Sequence, residues 1–299
     1  MNKKLKGFLI TSTGATMWGL NAVAGKYVMN VKDVDPVWMV TLRLILAGTI
    51  LLLIAAGKSE KHSIFEIWKD KKSVGRLLVI AIFAFAICQI SYFGAINLAN
   101  AGIITAIQQT APVFVLLWVL ILEKRGPKKV EVLVLIVVIV GAFILATGGD
   151  ISSLVLPLNA LILALISAVT CAMYTVLPGK LIERYGTFYA VGWGMLLAGI
   201  LLIPVAKLWI VSGTWDVKTV LAFGFVVIFG TVTAFASFLY GITIVGPLTG
   251  SILGLIEPVV AVFASVVLLK QGFSIADIIG IVAILSGVTM LAIYKDKKK

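Results

Sequence analysis

This sequence holds a single histidine, His62, and it lies in a charged run rather than beside other metal-binding residue types. A Cys/His metal cluster and a Ser-His-Asp triad therefore lack their raw material. Two cysteines in 299 residues cannot build the multiply bridged framework of a small secreted domain. Both fall inside apolar runs, so Cys88 and Cys171 read as small hydrophobes with no disulfide implied. Charge is scarce as well: Asp, Glu, Lys and Arg supply 13% of the residues, where a soluble domain carries about 25%. The apolar share is 61% and the mean hydropathy +1.13, which excludes an ordinary water-soluble enzyme, a disordered chain and a collagen-like one. No GxxxxGK[ST] loop occurs, so ATP-driven pumping by this chain alone is not expected, and neither is a cofactor or a metal.

What the chain does have is long apolar runs. A membrane-spanning helix needs about 20 predominantly apolar residues. Cutting at charges, prolines and glycine turns gives ten such runs, at about 7–29, 36–56, 76–97, 100–122, 130–148, 156–178, 187–209, 219–241, 246–269 and 275–294. They are continuous rather than alternating, which favours helices over a barrel. The third and fourth runs, and the eighth and ninth, are joined by turns of only a few residues at Asn100-Ala101-Gly102 and Gly246-Pro247. Residues 1–24 carry a basic start and an Ala22-Val23-Ala24 site resembling a signal peptide. The apolar run continues to about Met29 with Trp18 and Asn21 inside it, which favours a retained helix.

The net charge of +12 then becomes a statement about orientation. With the N-terminus inside, the inner segments hold 19 of the 25 lysines and arginines and the outer segments 5, namely Lys26, Lys32, Lys207, Lys218 and Lys270. Arg43 lies within a span. That asymmetry follows the positive-inside rule and supports ten spans in a cell (plasma) membrane with both termini cytoplasmic. It leaves no need for a nucleic-acid partner. The run Lys69-Asp70-Lys71-Lys72 and the tail at 295–299 read as basic faces near anionic lipid.

The chain repeats itself. Residues 100–145 slide onto 246–291 without a gap, matching Pro112 with Pro258, Lys124 with Lys270, Gly126 with Gly272 and Gly141 with Gly287. Leu46-Ala47-Gly48 matches Leu197-Ala198-Gly199. The expected fold is an all-α integral membrane protein: ten transmembrane helices as two inverted five-helix repeats, 1–148 and 154–294, with a basic cytoplasmic tail at 295–299. Five spans per half is an odd number, so the second copy enters the membrane from the opposite side. Inverted repeats recur in secondary transporters, with the substrate site near the midplane between them.

Trp18-Gly19-x-Asn21 in the first span, Arg43 in the second, Ala111-Pro112 in the fourth and Glu257-Pro258 in the ninth resemble the drug/metabolite transporter superfamily, and within it the ten-helix EamA-type members. The second half carries Cys171-Ala172-Met173-Tyr174 in place of a Trp-Gly-x-Asn motif. The resemblance implies a carrier of small organic solutes, often an exporter of amino acids or related metabolites.

Polar groups within spans are costly in hydrocarbon and so are site candidates. Glu257 could couple transport to protons, or could satisfy backbone groups freed by Pro258. Arg43 could receive a substrate carboxylate or snorkel to the outer surface. Gly14, Trp18, Asn21 and Gly25 share one helical face. Gln89 and Tyr92 share another, as do Thr105, Gln108 or Gln109, and Pro112. Thr170 with Tyr174, Trp193, and Thr233 with Ser237 and Tyr240 complete the set. These faces suit a cavity for an amphipathic solute or organic cation, and equally suit interhelical packing. Pro112 and Pro258 mark helix breaks. Trp38, Trp118, Trp209 and Trp215 read as an interfacial belt. The leading function is alternating-access export of a small organic solute, driven by protons or by the solute's own gradient. The alternatives are a multidrug or organic-cation carrier, or a non-transporting scaffold or receptor subunit. An intramembrane enzyme lacks a histidine or paired acids in the spans.

Overall fold

Runs of apolar residues this long must satisfy every backbone group internally, and the chain does so as helix. A computed structural model describes residues 3–57, 64–150, 154–245 and 247–296, and no strand occurs among them. His62, Lys58, Lys61 and Lys297–Lys299 lie outside the described residues. The helical segments are α1 (Lys3–Asn30), α2 (Pro36–Gly57), α3 (Lys71–Leu98), α4 (Ala101–Leu122), α5 (Lys129–Thr147), α6 (Leu158–Val176 continuing as Gly179–Tyr185), α7 (Thr187–Ala206), α8 (Val217–Val245), α9 (Pro247–Gly254 continuing as Ile256–Leu269) and α10 (Ile275–Asp296).

Eight of these are long and apolar enough to cross a membrane, or nine if the two pieces of α6, bent by 41°, make one span. The remaining segment, α1, has 28 residues but carries Thr11, Ser12, Thr13, Asn21, Lys26 and four glycines. Its position explains the composition. It packs against α3, α4, α8 and α9 at once, so it faces protein on most sides and needs little lipid-compatible surface.

The contacts follow a two-fold pattern between the halves. α2 packs on α7, α5 on α10, and α4 on α9, each a segment against its own counterpart. α1 packs on α8 and α9, and correspondingly α6 packs on α3 and α4. Each half's first segment is thus seated in the other half. Small residues permit the closest crossings: a Cβ on Gly48 would lie 2.5 Å from Leu196 N, and one on Gly141 would lie 2.9 Å from Gly280 O.

The irregularities repeat too. α3 contains a π-helical stretch at Ile80–Ile87 and α8 one at Ile228–Thr233. α4 breaks at Gln109–Thr110 and α9 at Leu255, the same register in the two copies. Pro112 and Pro258 sit in the first turn after those breaks, where a missing N–H costs nothing because that turn has no intrahelical acceptor for it. α4 and α9 both end on a lysine in the left-handed conformation, Lys124 at φ 48° and Lys270 at φ 52°. Asp70 caps α3 by accepting from the Lys72 N–H, and Asp216 caps α8 by accepting from the Thr219 N–H.

Those two aspartates also anchor ion pairs at opposite ends of the bundle. Lys32 donates to Asp216 at 2.6 Å, and Arg184 donates to Asp70 at 2.8 Å. The Lys32 end is further closed by Asp35 N–H to Ser212 Oγ at 2.7 Å, and by Trp38 and Trp215 packed at 5.4 Å with their planes inclined at 56°. Trp38 is buried and Trp215 packs on it and on Phe223, so these two serve this closure, while Trp118 and Trp209 are exposed as a belt requires.

Candidate functional site

Between the halves lies a cavity of about 580 Å³, within the range of small-molecule sites. It begins at mid-height and runs to the Asp70 end, where the exposed Gly179, with Ile242 and Ala292, lines its mouth.

One wall is polar. Arg43 is 2% exposed, so it does not snorkel. Its Nε donates to Thr231 Oγ1 at 2.9 Å and its Nη2 to Gln89 Oε1 at 3.0 Å, and its guanidinium lies 4.8 Å from the centre of the Phe93 ring. Its Nη1 is buried without a partner among the described residues, as is Asn21 Oδ1. Asn21 rests against Gly230, next to Thr231, so the π-helical stretch of α8 positions both groups. The stretch leaves Thr231 Oγ1 donating to Val226 O, five residues back, while it accepts from Arg43.

Glu257 faces the cavity from the first turn of the second piece of α9, where the helix dipole favours a carboxylate. It accepts from Gln109 Nε2 at 3.2 Å, a side chain from the equivalent break in α4. Among the described residues no backbone N–H donates to it, so its carboxylate is not spent on groups freed by Pro258. Tyr92 bonds Thr105 at 2.7 Å, and Gln108 donates to Ser167.

Another part of the lining is aromatic. Trp18 packs on Phe235 at 5.0 Å and on Phe238 at 4.7 Å, and Tyr174 on Phe85 at 5.5 Å. The cavity can therefore hold a solute with an apolar body against the rings and polar ends against Arg43, Asn21 and Glu257.

Of the residues singled out from sequence, Trp18, Asn21, Arg43, Gln89, Tyr92, Gln108, Gln109, Pro112, Tyr174 and Glu257 line this one space. Three do not. Trp193 donates its indole N–H to Ile64 O at 2.9 Å and packs on Phe65 and Trp68 at the Asp70 end. Pro258 is buried behind the break. Tyr240 is 55% exposed. Beyond the π turn the helix is regular, so Thr233, Ser237 and Tyr240 still share one face, but that face is turned away from the cavity. The face turned to the cavity is instead Phe235, Phe238, Leu239 and Ile242.

Sequence reasoning also missed Phe85, Cys88 and Cys171 as lining residues. Cys88 and Cys171 are not in a disulfide, and they border the cavity rather than fill a core. Helical spacing alone could have found all three, since Phe85 and Cys88 precede Gln89 and Tyr92 by four residues each and Cys171 precedes Tyr174 by three.

A family model for the EamA-like transporter family matches residues 5–147 and again 158–293. The chain is 30% identical over 302 residues to YicL, an uncharacterized inner membrane transporter of Salmonella typhimurium, covering 100% of this chain and 99% of that one. It is 24% identical over 295 residues to an uncharacterized transporter of Archaeoglobus fulgidus, covering 97% and 98%. A solved crystal structure superposes with a TM-score of 0.65 at 19% identity over 98% of both chains, which shows a shared fold. With two matched copies spanning nearly its whole length, this chain belongs to the EamA-like transporter family and is an integral membrane transporter.

Proposed function

We propose that the chain is a secondary carrier that exports a small organic solute of the amino-acid type by alternating access. In this reading all ten helical segments cross the membrane, the halves at 1–148 and 154–294 are inverted, and both termini are cytoplasmic. The distribution of basic residues supports the orientation, because Lys69, Lys71, Lys72, Arg76, Lys180 and Arg184 all sit at the Asp70 end. The cavity mouth then faces the cytoplasm, where an exported solute loads.

The observation that carries the substrate class is Arg43. A buried guanidinium with Nη1 unsatisfied is costly, and a solute carboxylate would supply the missing acceptor. Asn21 Oδ1, also unsatisfied, would accept from a solute N–H. The aromatic wall would take an apolar side chain. Glu257, with no basic partner among the described residues, offers a proton site or a seat for a solute ammonium.

The presence of Glu257 and Trp18 in one cavity also favours a second reading, in which the solute is an organic cation. Ligand-induced thermal stabilisation of the purified protein separates the two. Apolar amino acids should raise the melting temperature, while their amides and esters, which lack the carboxylate, should not. If only cations without a carboxylate stabilise the protein, the amino-acid reading fails.

A further inference from the structure

The pathway is closed at one end and open at the other, and a buried lysine stands at the closed end. Lys26 of α1 is 8% exposed, and among the described residues no carboxylate pairs with it. Its ammonium instead donates to Ile96 O at 2.7 Å and to Ala99 O at 2.5 Å. These carbonyls belong to the last turn of α3, which has no intrahelical donors left to satisfy them and carries the negative end of the helix dipole. Asn30 Nδ2 adds a bond to Asn97 O at 2.9 Å. Together they hold the ends of α1 and α3 together at the Lys32 end.

The other half contains the same parts, unlatched. A like Gly-Lys pair, Gly179-Lys180, stands near the end of α6, one residue beyond the register that sets Cys171–Tyr174 against Trp18–Asn21, and the carbonyls of Ile96 and Ala99 correspond to those of Ile242 and Val245, which end α8. Lys180 is exposed and has no hydrogen-bond partner among the described residues. Gly179 and Ile242 stand on the mouth of the cavity, so the gap lies between the very elements that Lys26 joins at the opposite end.

We propose that Lys26 and Lys180 are positioning residues for transport: each ammonium closes its own end of the pathway by capping the last carbonyls of the adjacent helix, and one engages as the other lets go. The proposal rests on the alternating-access reading above. It explains why a lysine stands in the membrane-spanning α1 without a carboxylate partner. It also identifies the described conformation as the one in which the Lys26 latch is shut and the Lys180 latch open.

The native Cys171 reports on it, being half-buried and lining the cavity. Right-side-out and inside-out vesicles are treated with a membrane-impermeant thiol reagent, and modification of the Cys171 peptide is followed by mass spectrometry. An ammonium–carbonyl bond shifts an equilibrium by about tenfold. Lys26→Met should therefore raise the ratio of outside to inside labelling rates by about tenfold. Lys180→Met should lower that ratio, and the double variant should return close to wild type. Lys180 is exposed, so its variant tests the idea even where Lys26→Met folds poorly. Ratios within twofold of wild type for Lys180→Met, or shifts of the same sign for both single variants, overturn the proposal. Labelling needs no solute, whereas the carrier reading stands or falls on solute exchange by the wild type, so the two failures are distinguishable.

Discussion

Gly48→Ala adds one methyl group at the crossing of α2 and α7, where the halves meet segment to counterpart. The new Cβ would lie 2.5 Å from Leu196 N, 2.8 Å from Gly192 O and 2.9 Å from Leu196 Cα. All three are backbone atoms, so no side chain can swing aside. Ordinary contact needs about 3.5 Å, so the helices must part by roughly 0.5–1 Å, a gap that already forfeits a quarter to a half of each contact's dispersion energy. Overpacking of this kind costs about 1–3 kcal/mol. Gly199→Ala meets Ile45 N at 2.9 Å from the other side of the same crossing and should behave alike. Gly224→Ala, in α8, is the control: nothing lies within 4 Å of its added Cβ, and alanine is favoured over glycine in a helix by up to about 1 kcal/mol. Thermal melting in one detergent should rank Gly224→Ala at or above wild type and both crossing variants several degrees below it. If Gly48→Ala melts with or above Gly224→Ala, the close α2–α7 crossing is not how the halves are held together.

Arg43→Gln should weaken binding of a carboxylate-bearing solute by roughly 10- to 150-fold, the loss of a charge-assisted bond of about 1.5–3 kcal/mol, and should spare its methyl ester; equal losses for both refute a carboxylate contact. Glu257→Gln should flatten the pH profile of transport, and a profile unchanged from wild type removes proton coupling through this residue. Asp216 has its carboxyl held below the usual range, first by the Lys32 ammonium and then by the Thr219 N–H and hydroxyl. That contribution is in full force above the unfolded aspartate value of about 3.9 and is lost as the pH falls through the lower folded value. Asp216→Asn should thus lower the melting temperature near neutral pH, with the gap to wild type closing below about pH 4. A gap that persists in acid would place the effect elsewhere.

How much of this can be read from the sequence depends on whether a feature has a side-chain signature. The fourth and ninth segments announce their equivalence through Pro112 and Pro258, Gly126 and Gly272, and the matched Lys124 and Lys270, all of which are local backbone requirements. Trp18, Asn21, Arg43 and Glu257 stand out because polar or bulky groups are expensive in an apolar run. The two π-helical stretches leave no such mark: Ile80–Ile87 is an unbroken apolar run, and nothing in Ile228–Thr233 announces an added residue per turn. Spacing groups Ser237 and Tyr240 on one face but does not say which face meets the cavity, and the apolar face with Phe235 and Phe238 does. Trp193 fails differently, since its glycine-flanked setting fits a cavity wall as well as the loop contact it makes with Ile64. α1 is legible as the run at 7–29, but why it can carry so many polar residues is explained only by the helices that shelter it.

Solute counterflow in liposomes bears most directly on the central claim. Purified protein is reconstituted with an unlabelled apolar amino acid inside, and uptake of the same labelled solute is followed. Alternating access through the Arg43 cavity requires transient accumulation of label above equilibrium in wild type, and its loss in Arg43→Gln. Folded wild-type protein that exchanges no solute across a broad panel of amino acids and organic cations would contradict the carrier reading.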